Sequence, residues 1–188
     1  MKHAYLLLTH KNPTQLVQLI SALQAENSYL FIHVDGKSTK VYNALQCLIE
    51  LPRNVFICEE RKNVSWGGFS QVEATMQLIN MLVNSNINPD YVHLISGQDF
   101  PLKSASEIDN FFAQNNGKNF LNYFTLPCEH WARNGGLDRL LYTWNIDGGN
   151  GEKSEPTEPF PENIQPYGGS QWWSLTMDCI NYLFETCR

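Results

Sequence analysis

The alternation of apolar runs with stretches of helical periodicity constrains the fold of this chain more than any other feature. Apolar runs typical of buried strands cover Tyr5–Leu8, Tyr29–Val34 and Tyr91–Ile95. Shorter strand-like runs continue the same rhythm at 55–58, 120–124 and 172–175. A βαβα order of this kind predicts an α/β fold, in which a Rossmann-type, mostly parallel sheet carries helices on both faces.

The stretches between these runs have the spacing of helices. One helix is predicted to begin at Asn12–Pro13, because proline is favoured in a first helical turn. Further helices are predicted around 41–49, 70–82 and 108–112. The buried side of the third helix is predicted to consist of Val72, Met76, Ile79 and Leu82.

Two local features complete this prediction. Ser70 followed by Glu73 has the spacing of a capping box at the start of the third helix. The stretch 146–167 contains four prolines and breaks the βα rhythm. It is predicted to be a long loop inside the domain, of the kind that often binds ligands.

Length and composition limit the functional classes that fit. A chain of 188 residues is long enough for one domain with a sizeable core, and a hydrophobic content of 43% argues against disorder. The formal net charge is −6, and no basic run is longer than Arg61–Lys62. Nucleic-acid binding and polybasic membrane attachment both need clustered cations, so neither is expected.

The first residues and the cysteines bear on location. Met1–Leu8 contains a short apolar run, but the run ends at Thr9, far short of a signal peptide, and is predicted to be a strand. No transmembrane segment is predicted. The five cysteines lack CxxC or metal-ligand spacing, so free thiols are expected. The sequence therefore predicts a cytoplasmic protein without stable membrane insertion.

The most informative segment for function is Tyr91–Lys103. Its strand ends at Ser96–Gly97 and delivers Asp99 onto a turn stiffened by proline. Ligands of open α/β sheets bind at the carboxyl ends of strands, so Asp99 is a candidate site residue. The alternative is that Asp99 caps this turn or the helix that begins near Ser104.

Polar residues also follow the first two strands. Thr9 and His10 could bind a nucleotide or phosphate there. Asp35, which follows His33 and Val34, could accept hydrogen bonds from a ribose or a uracil N–H. The structural alternatives are helix capping by Thr9, a backbone hydrogen bond of His33 and a cap before Gly36 formed by Asp35. GxGxxG and GxxxxGK[ST] are both missing from the sequence, which argues against a dinucleotide enzyme or a P-loop NTPase.

Aromatic and basic residues add further candidates. Trp66 precedes Gly67, and glycines in such a turn let the backbone approach a ligand closely. Arg61 could face a phosphate or simply solvent. Trp131 and Arg133 combine an aromatic face with a charged group, the mix that suits a sugar, although packing of a half-buried helix is the alternative.

The ordered set of segments resembles the core-2/I-branching β-1,6-N-acetylglucosaminyltransferase and peptide O-xylosyltransferase family (glycosyltransferase family 14). The resemblance runs from about residue 3 to the last residue, and implies the GT-A nucleotide-sugar fold over a single domain, 1–188. The segments that carry it are Ala4–Pro13, Phe31–Ser38, Arg61–Ser70, Ser96–Ser104 and Gly168–Thr176.

The motifs and the resemblance together predict two sets of site residues. The donor, a UDP-sugar co-substrate, is expected at Thr9, His10, His33, Val34, Asp35, Arg61, Trp66 and Gly67. The acceptor is expected at Asp99, Trp131, Arg133, Gln171 and Trp172. Many GT-A enzymes hold a divalent metal on an Asp-x-Asp pair, which this chain lacks. The resembled family works without metal, so no metal or cofactor is expected.

Two departures from the family bear on catalysis. Gln171 stands where xylosyltransferase-like members carry an Asp, and an amide cannot act as a base. The family's proposed base, a Glu in a Pro-(Ser/Asp)-Asp-Glu-type motif, and its diphosphate-binding cations would lie beyond Arg188. The domain is therefore expected to lack its C-terminal part, so the catalytic base is not identified in this chain, although Asp99 could stand in as base.

For the complete protein, the predicted function is inverting, metal-independent transfer of a GlcNAc- or xylose-type sugar from a UDP-sugar to a carbohydrate hydroxyl. The 188-residue chain itself is expected to be inactive. Two alternatives remain: a catalytically incomplete fragment that binds nucleotide sugars, and a non-enzymatic carbohydrate-binding module. A thermal shift with UDP separates the last from the others.

Overall fold

The computed structural model describes residues 1–47, 52–148, 152–156, 161 and 163–187, with the backbone alone described at 132, 133 and 152–156. The strands are β1 His3–Thr9, β2 Ser28–Val34, β3 Val55–Ile57, β4 Tyr91–Ser96, β5 Phe120–Thr125, β6 Tyr142–Asn145, β7 Glu152–Pro156 and β8 Tyr167–Thr176. The helices are α1 Pro13–Ala22, α2 Thr39–Gln46, α3 Ser70–Val83, α4 Ala105–Gln114, α5 Ala132–Gly135, α6 Asp138–Leu141 and α7 Met177–Thr186.

Six strands form the main sheet, in the order β3-β2-β1-β4-β8-β5. The pairs β1–β2, β1–β4 and β2–β3 are parallel, and β8 runs antiparallel to both of its neighbours. The predicted α/β fold with a mostly parallel sheet is therefore confirmed. Its parallel strands all end at one edge, where the residues after β1, β2 and β4 come together.

Helices cover both faces of this sheet, as predicted. Leu6 and Phe31 pack with helices α3 and α7 on one face, whereas Leu7 and Ile32 pack with α1 and α2 on the other. Successive side chains of a strand point to opposite faces. Because both faces are covered, the central strands are apolar at nearly every position, which is the pattern that the sequence shows.

The buried side of α3 differs in part from the prediction. Ala74, Leu78, Ile79 and Leu82 are buried, whereas Val72 is 49% exposed. The stripe at 74, 78 and 82 has a spacing of four residues, so it stays on one helix face, and Val72 lies off that face. Leu48 and Ile49, which were predicted in the second helix, lie outside the described residues.

The predicted capping box of α3 is wrong. The Ser70 side chain makes no cap hydrogen bond within α3, and Glu73 forms a 2.8 Å ion pair with Lys62 instead. Asp147 occupies the helix N-terminus, where a carboxylate is a stronger acceptor than a serine hydroxyl. A complete capping box is present in α4, between Ser104 and Glu107.

The stretch 146–167 was predicted to be a long loop, but it contains the strand β7. This strand pairs antiparallel with β6 to form a separate two-stranded sheet. The pairing was missed because both strands are short and neither contains a continuous apolar run. Within the described part of the chain, no helix combines the length and apolar character needed to cross a bilayer. The five cysteines are free thiols.

Candidate functional site

A cavity of about 650 Å³ opens at the carboxyl edge of the parallel strands. It is lined by residues from the ends of β1, β2 and β4, from the turn before α3, and from β8. Of the predicted donor residues, the lining contains Thr9, His10, His33, Asp35 and Trp66. Of the predicted acceptor residues, it contains Gln171 and Trp172. Residues from separate motifs thus converge on one space.

Asp35 directly follows β2 and is held by the loop that follows β3. Its Oδ1 accepts hydrogen bonds from the backbone N–H of Lys37 at 3.0 Å and of Val64 at 3.2 Å. The Lys37 Nζ lies 3.8 Å from Oδ2 and donates to the Val64 carbonyl at 2.6 Å. Asp35 therefore ties the two loops together and leaves Oδ2 as its less engaged oxygen.

His33, near the end of β2, lines the cavity but is almost completely buried. Its Nε2 accepts a hydrogen bond from the backbone N–H of Lys62 at 2.9 Å, so the ring proton lies on Nδ1. Burial lowers the pKa of His33, and the nearby Arg61 lowers it further against the opposing effect of Asp35. The imidazole is neutral at pH 7 and brings no positive charge to the cavity.

Thr9 ends β1 and is buried beneath the cavity. Among the described residues its Oγ1 has no hydrogen-bond partner. Gly97, after β4, packs so closely that a Cβ added to it would collide with the Thr9 side chain. Buried polar atoms are almost always satisfied, so this hydroxyl lacks the partner that such a group normally has.

The far wall of the cavity is formed by a bulge in β8. Leu121 pairs with Trp173, but the next pair is Tyr123 with Gly169, so residues 170–172 of β8 stand opposite residue 122 alone. A Cβ at Gly169 would collide with the Asn122 carbonyl, which explains the glycine at this position. Bulges re-aim side chains beside active sites, and this one brings residues 171 and 172 into the lining.

Three predicted donor residues lie outside the lining. The Val34 side chain is fully buried in the core, so any contact with a ligand is confined to its backbone. The Arg61 guanidinium lies 4.1 Å from the Tyr42 ring centre and donates to the Asp35 carbonyl at 3.3 Å, rather than facing the cavity. Gly67 adopts a positive φ of 76° within its turn.

Two further acceptor predictions, Asp99 and Trp131, are not among the described lining residues. Asp99 accepts a 2.8 Å hydrogen bond from the Ser96 N–H, so it closes its own turn, which is the structural alternative recognised from the sequence. Trp131 packs edge-on against Phe124 and beneath the Arg139 guanidinium, at 4.9 and 4.3 Å. The side chain of Arg133 lies outside the described residues.

Several lining residues were not predicted. Lys37 and Ser38 follow Asp35 directly, so the strand-end argument that selected Asp35 could have included them. Gln71, at the start of α3, donates to the Gln171 side chain at 3.4 Å and so joins two walls of the cavity. Gln98 accepts a 2.7 Å hydrogen bond from Gln15 through its carbonyl.

The lining therefore offers amides, hydroxyls, one ammonium group and two indole rings. Trp66 is 93% exposed and Trp172 40% exposed, so both rings are free to stack on a flat ligand face. The Lys37 ammonium can neutralise phosphate as a point charge. Over the described residues, no group of three or more His, Cys, Asp or Glu side chains has the arrangement of a metal site.

Comparison with known proteins identifies the family. A family model described as "Core-2/I-Branching enzyme" matches residues 3–186. The human protein named "Probable beta-1,3-galactosyl-O-glycosyl-glycoprotein beta-1,6-N-acetylglucosaminyltransferase 7" is 35% identical over 186 residues, which cover 96% of this chain and 42% of that protein. "Xylosyltransferase oxt" of Drosophila melanogaster is 28% identical over 174 residues, 90% of this chain and 19% of its own length.

The chain thus spans less than half the length of these relatives. A solved structure, 4-diphosphocytidyl-2C-methyl-D-erythritolsynthase from Anaerococcus prevotii, aligns over 99% of this chain and 76% of its own, with a TM-score of 0.44 and 10% identity. That likeness is too low to bear on function. The match of the family model over nearly all residues is decisive, and the chain belongs to the core-2/I-branching enzyme family.

Proposed function

We propose that this chain forms the nucleotide-sugar-binding part of an inverting glycosyltransferase with a GT-A fold. The transferred sugar is GlcNAc or xylose, the donor is its UDP derivative, and the acceptor is a carbohydrate hydroxyl. The observation that carries this proposal is the convergence of Asp35, Thr9 and Trp172 on one cavity. Ligands of open α/β sheets bind at this edge, and names of family relatives specify GlcNAc and xylose transfer.

The proposed reaction is a single in-line displacement. The acceptor hydroxyl attacks the anomeric carbon as the bond to UDP breaks, and a carboxylate takes the hydroxyl proton. Asp35 is the one carboxylate among the described lining residues, and its Oδ1 already accepts two backbone hydrogen bonds. We therefore assign donor binding to Asp35 and place the base outside the described lining.

We further propose that donor binding needs no metal ion. Divalent cations of the Mg²⁺ type prefer clustered oxygen ligands. Here the carboxylate of Asp35 is surrounded by N–H groups and by the Lys37 ammonium, which would repel a cation. The second polar side chain of the motif, His33, directs Nε2 to a backbone N–H. This donor set fits an anionic or neutral ligand better than a metal.

Calorimetric titration with UDP, with and without EDTA, tests the proposal. We expect weak binding with the same dissociation constant in both buffers, and a nucleotide-dependent rise in Tm. Binding that appears only with Mn²⁺ or Mg²⁺ would contradict the metal-free part. Absence of UDP binding, together with binding of a neutral glycan, would support a carbohydrate-binding module instead.

A further inference from the structure

The turn that carries Trp66 is fixed by a carboxylate from a distant part of the chain. Asp147 follows β6 and reaches the first residue of α3, 77 positions earlier. Its Oδ2 accepts a 2.9 Å hydrogen bond from the Ser70 N–H, and its Oδ1 accepts from the Ser70 hydroxyl. These hydrogen bonds lower the pKa of Asp147, with the Ser70 hydroxyl as the largest cause.

Ser70 connects Asp147 to the rest of the turn through further hydrogen bonds. While its hydroxyl donates to Asp147, the same oxygen accepts from the Ser65 N–H at 2.9 Å. The Ser65 carbonyl accepts from the Gly68 N–H at 3.0 Å, which closes the turn around residues 66 and 67. The Gly67 N–H donates to the Gln71 side chain at 2.9 Å.

The two glycines of the turn fit this contact. A Cβ at Gly68 would collide with the Asp147 carboxylate, so only glycine leaves room for it. Gly67 has a positive φ of 76°, which strains other residues, and the space where its Cβ would lie is 3.7 Å from the Ile146 Cδ1. Residues 146 and 147 therefore dock on this turn.

Trp66 depends on this backbone for its position. Its side chain is almost fully exposed, so packing against neighbours does little to place it. Gln71 follows the same turn and donates to Gln171 across the cavity. A shift of the turn would therefore move two lining residues together.

We propose that Asp147 is a positioning residue, which acts through Ser70 to hold Trp66 and Gln71 at the cavity wall. The identity of the ligand rests on the proposed function, whereas the positioning of Trp66 and Gln71 by Asp147 does not. Asp147 is not among the described lining residues, so we expect its effect on binding to be indirect.

Fluorine NMR on the 5-fluorotryptophan-labelled chain tests the positioning directly. The chain has five tryptophans, and Trp66→Phe identifies the resonance of Trp66. We expect Asp147→Ala to shift and broaden this resonance while that of the sheet residue Trp173 stays unchanged. Asp147→Asn, which keeps an acceptor for one of the two Ser70 donors, should have a smaller effect. Asp178→Ala, on the exposed surface of α7, is the matched control.

UDP titration of the same variants tests the consequence for binding. We expect Asp147→Ala and Ser70→Ala each to weaken UDP binding roughly three- to tenfold, and the double variant to add little, because both act through one contact. An unchanged Trp66 resonance or unchanged UDP affinity in Asp147→Ala would overturn the proposal. If the unaltered chain binds no UDP, the proposed function fails, while the Trp66 resonance still decides whether Asp147 positions the turn.

Discussion

Thr9 combines burial with an unsatisfied hydroxyl at the wall of the cavity. An unpaired buried hydroxyl costs about 1–3 kcal/mol of stability. A protein retains such a group without loss when a ligand supplies the missing partner. The Thr9 hydroxyl is therefore expected to lower the stability of the ligand-free protein and to strengthen ligand binding.

We predict that Thr9→Val weakens UDP binding without destabilising the fold. Valine has nearly the same shape and removes the unsatisfied hydroxyl, so the free energy of unfolding should stay the same or rise by about 1 kcal/mol. Loss of one neutral hydrogen bond to the ligand should reduce UDP affinity roughly two- to tenfold. Thermal denaturation and calorimetric titration measure the two effects.

Thr125→Val, at an exposed position of β5, controls for the substitution itself. It should leave UDP affinity unchanged. Equal affinities of the Thr9→Val and unaltered chains would show that the ligand does not reach this hydroxyl.

We predict that Asp35→Asn reduces UDP affinity roughly tenfold, because charge-assisted hydrogen bonds to the ligand contribute about 1.5–3 kcal/mol. The amide oxygen can still accept from the backbone N–H groups of Lys37 and Val64, so the loops should stay tied together. Asp35→Ala removes these acceptors as well and should lower Tm. Titration beside Asp178→Asn provides the comparison; similar affinities for the two variants would place Asp35 outside the site.

At the scale of elements, three neighbouring strands are joined by buried imidazoles. His3 on β1 lies with its Nδ1 2.9 Å from the Nε2 of His93 on β4, whose Nδ1 lies 2.8 Å from the Ser174 hydroxyl on β8. Burial lowers the pKa of His3, and it lowers that of His93 to about 3. Both rings are therefore neutral in the folded state across the physiological range.

We predict that this pair makes the fold sensitive to acid. In the unfolded chain His93 binds a proton near pH 6.5, whereas in the fold it does so near pH 3. Between these values the unfolded state holds more protons, so stability is lost as pH falls, by about 1.4 kcal/mol per pH unit for one group. Urea denaturation at several pH values should show a shallower slope between about pH 6 and 4 in His93→Gln.

His130→Gln is the matched control, since His130 is exposed. It should retain the full slope. Parallel pH profiles of His93→Gln and the unaltered chain would show that His93 is protonated in the folded state as readily as in the unfolded one.

The main elements could be predicted because each covered strand is apolar on both faces and each helix keeps an apolar stripe. The hairpin β6–β7 could not, because its strands are only four and five residues long and neither contains a continuous apolar run. The start of α3 was mispredicted for a different reason. The local Ser70–Glu73 spacing fits a capping box, but Asp147 arrives from a remote segment, and local spacing carries no information about it.

The residues of the candidate site also divide into those that the sequence could predict and those that it could not. Thr9, His33 and Asp35 were predictable because parallel strands end at one edge, whatever the details of the loops. The resemblance indicated Gln171 and Trp172, whereas the bulge that brings them to the cavity has no signal in the local sequence pattern. The assignment of Arg61 to the donor site stays a prediction; its guanidinium contacts the Tyr42 ring, and no short-range signal reveals such a contact.

At the scale of the whole molecule, we predict that the 188-residue chain binds UDP but does not transfer sugar. General-base assistance contributes about 10²- to 10⁴-fold, and the described lining has no carboxylate besides Asp35. The assay is UDP release and product formation from UDP-GlcNAc and UDP-xylose with a panel of glycans. Turnover lost on Asp99→Asn would contradict the prediction and make Asp99 the base.

The position of β8 in the sheet also determines when the sheet can be completed during synthesis on the ribosome. β8 is synthesised after the other five strands of the described sheet, yet it lies between β4 and β5. The parallel strands β1 to β4 can form with their helices first, whereas β5 has β8 as its only neighbour in the described sheet. Until residue 176 has been synthesised, β5 has no strand of the described sheet with which to pair. Unpaired strand edges of this kind invite aggregation, so the nascent chain should depend on chaperones during that interval.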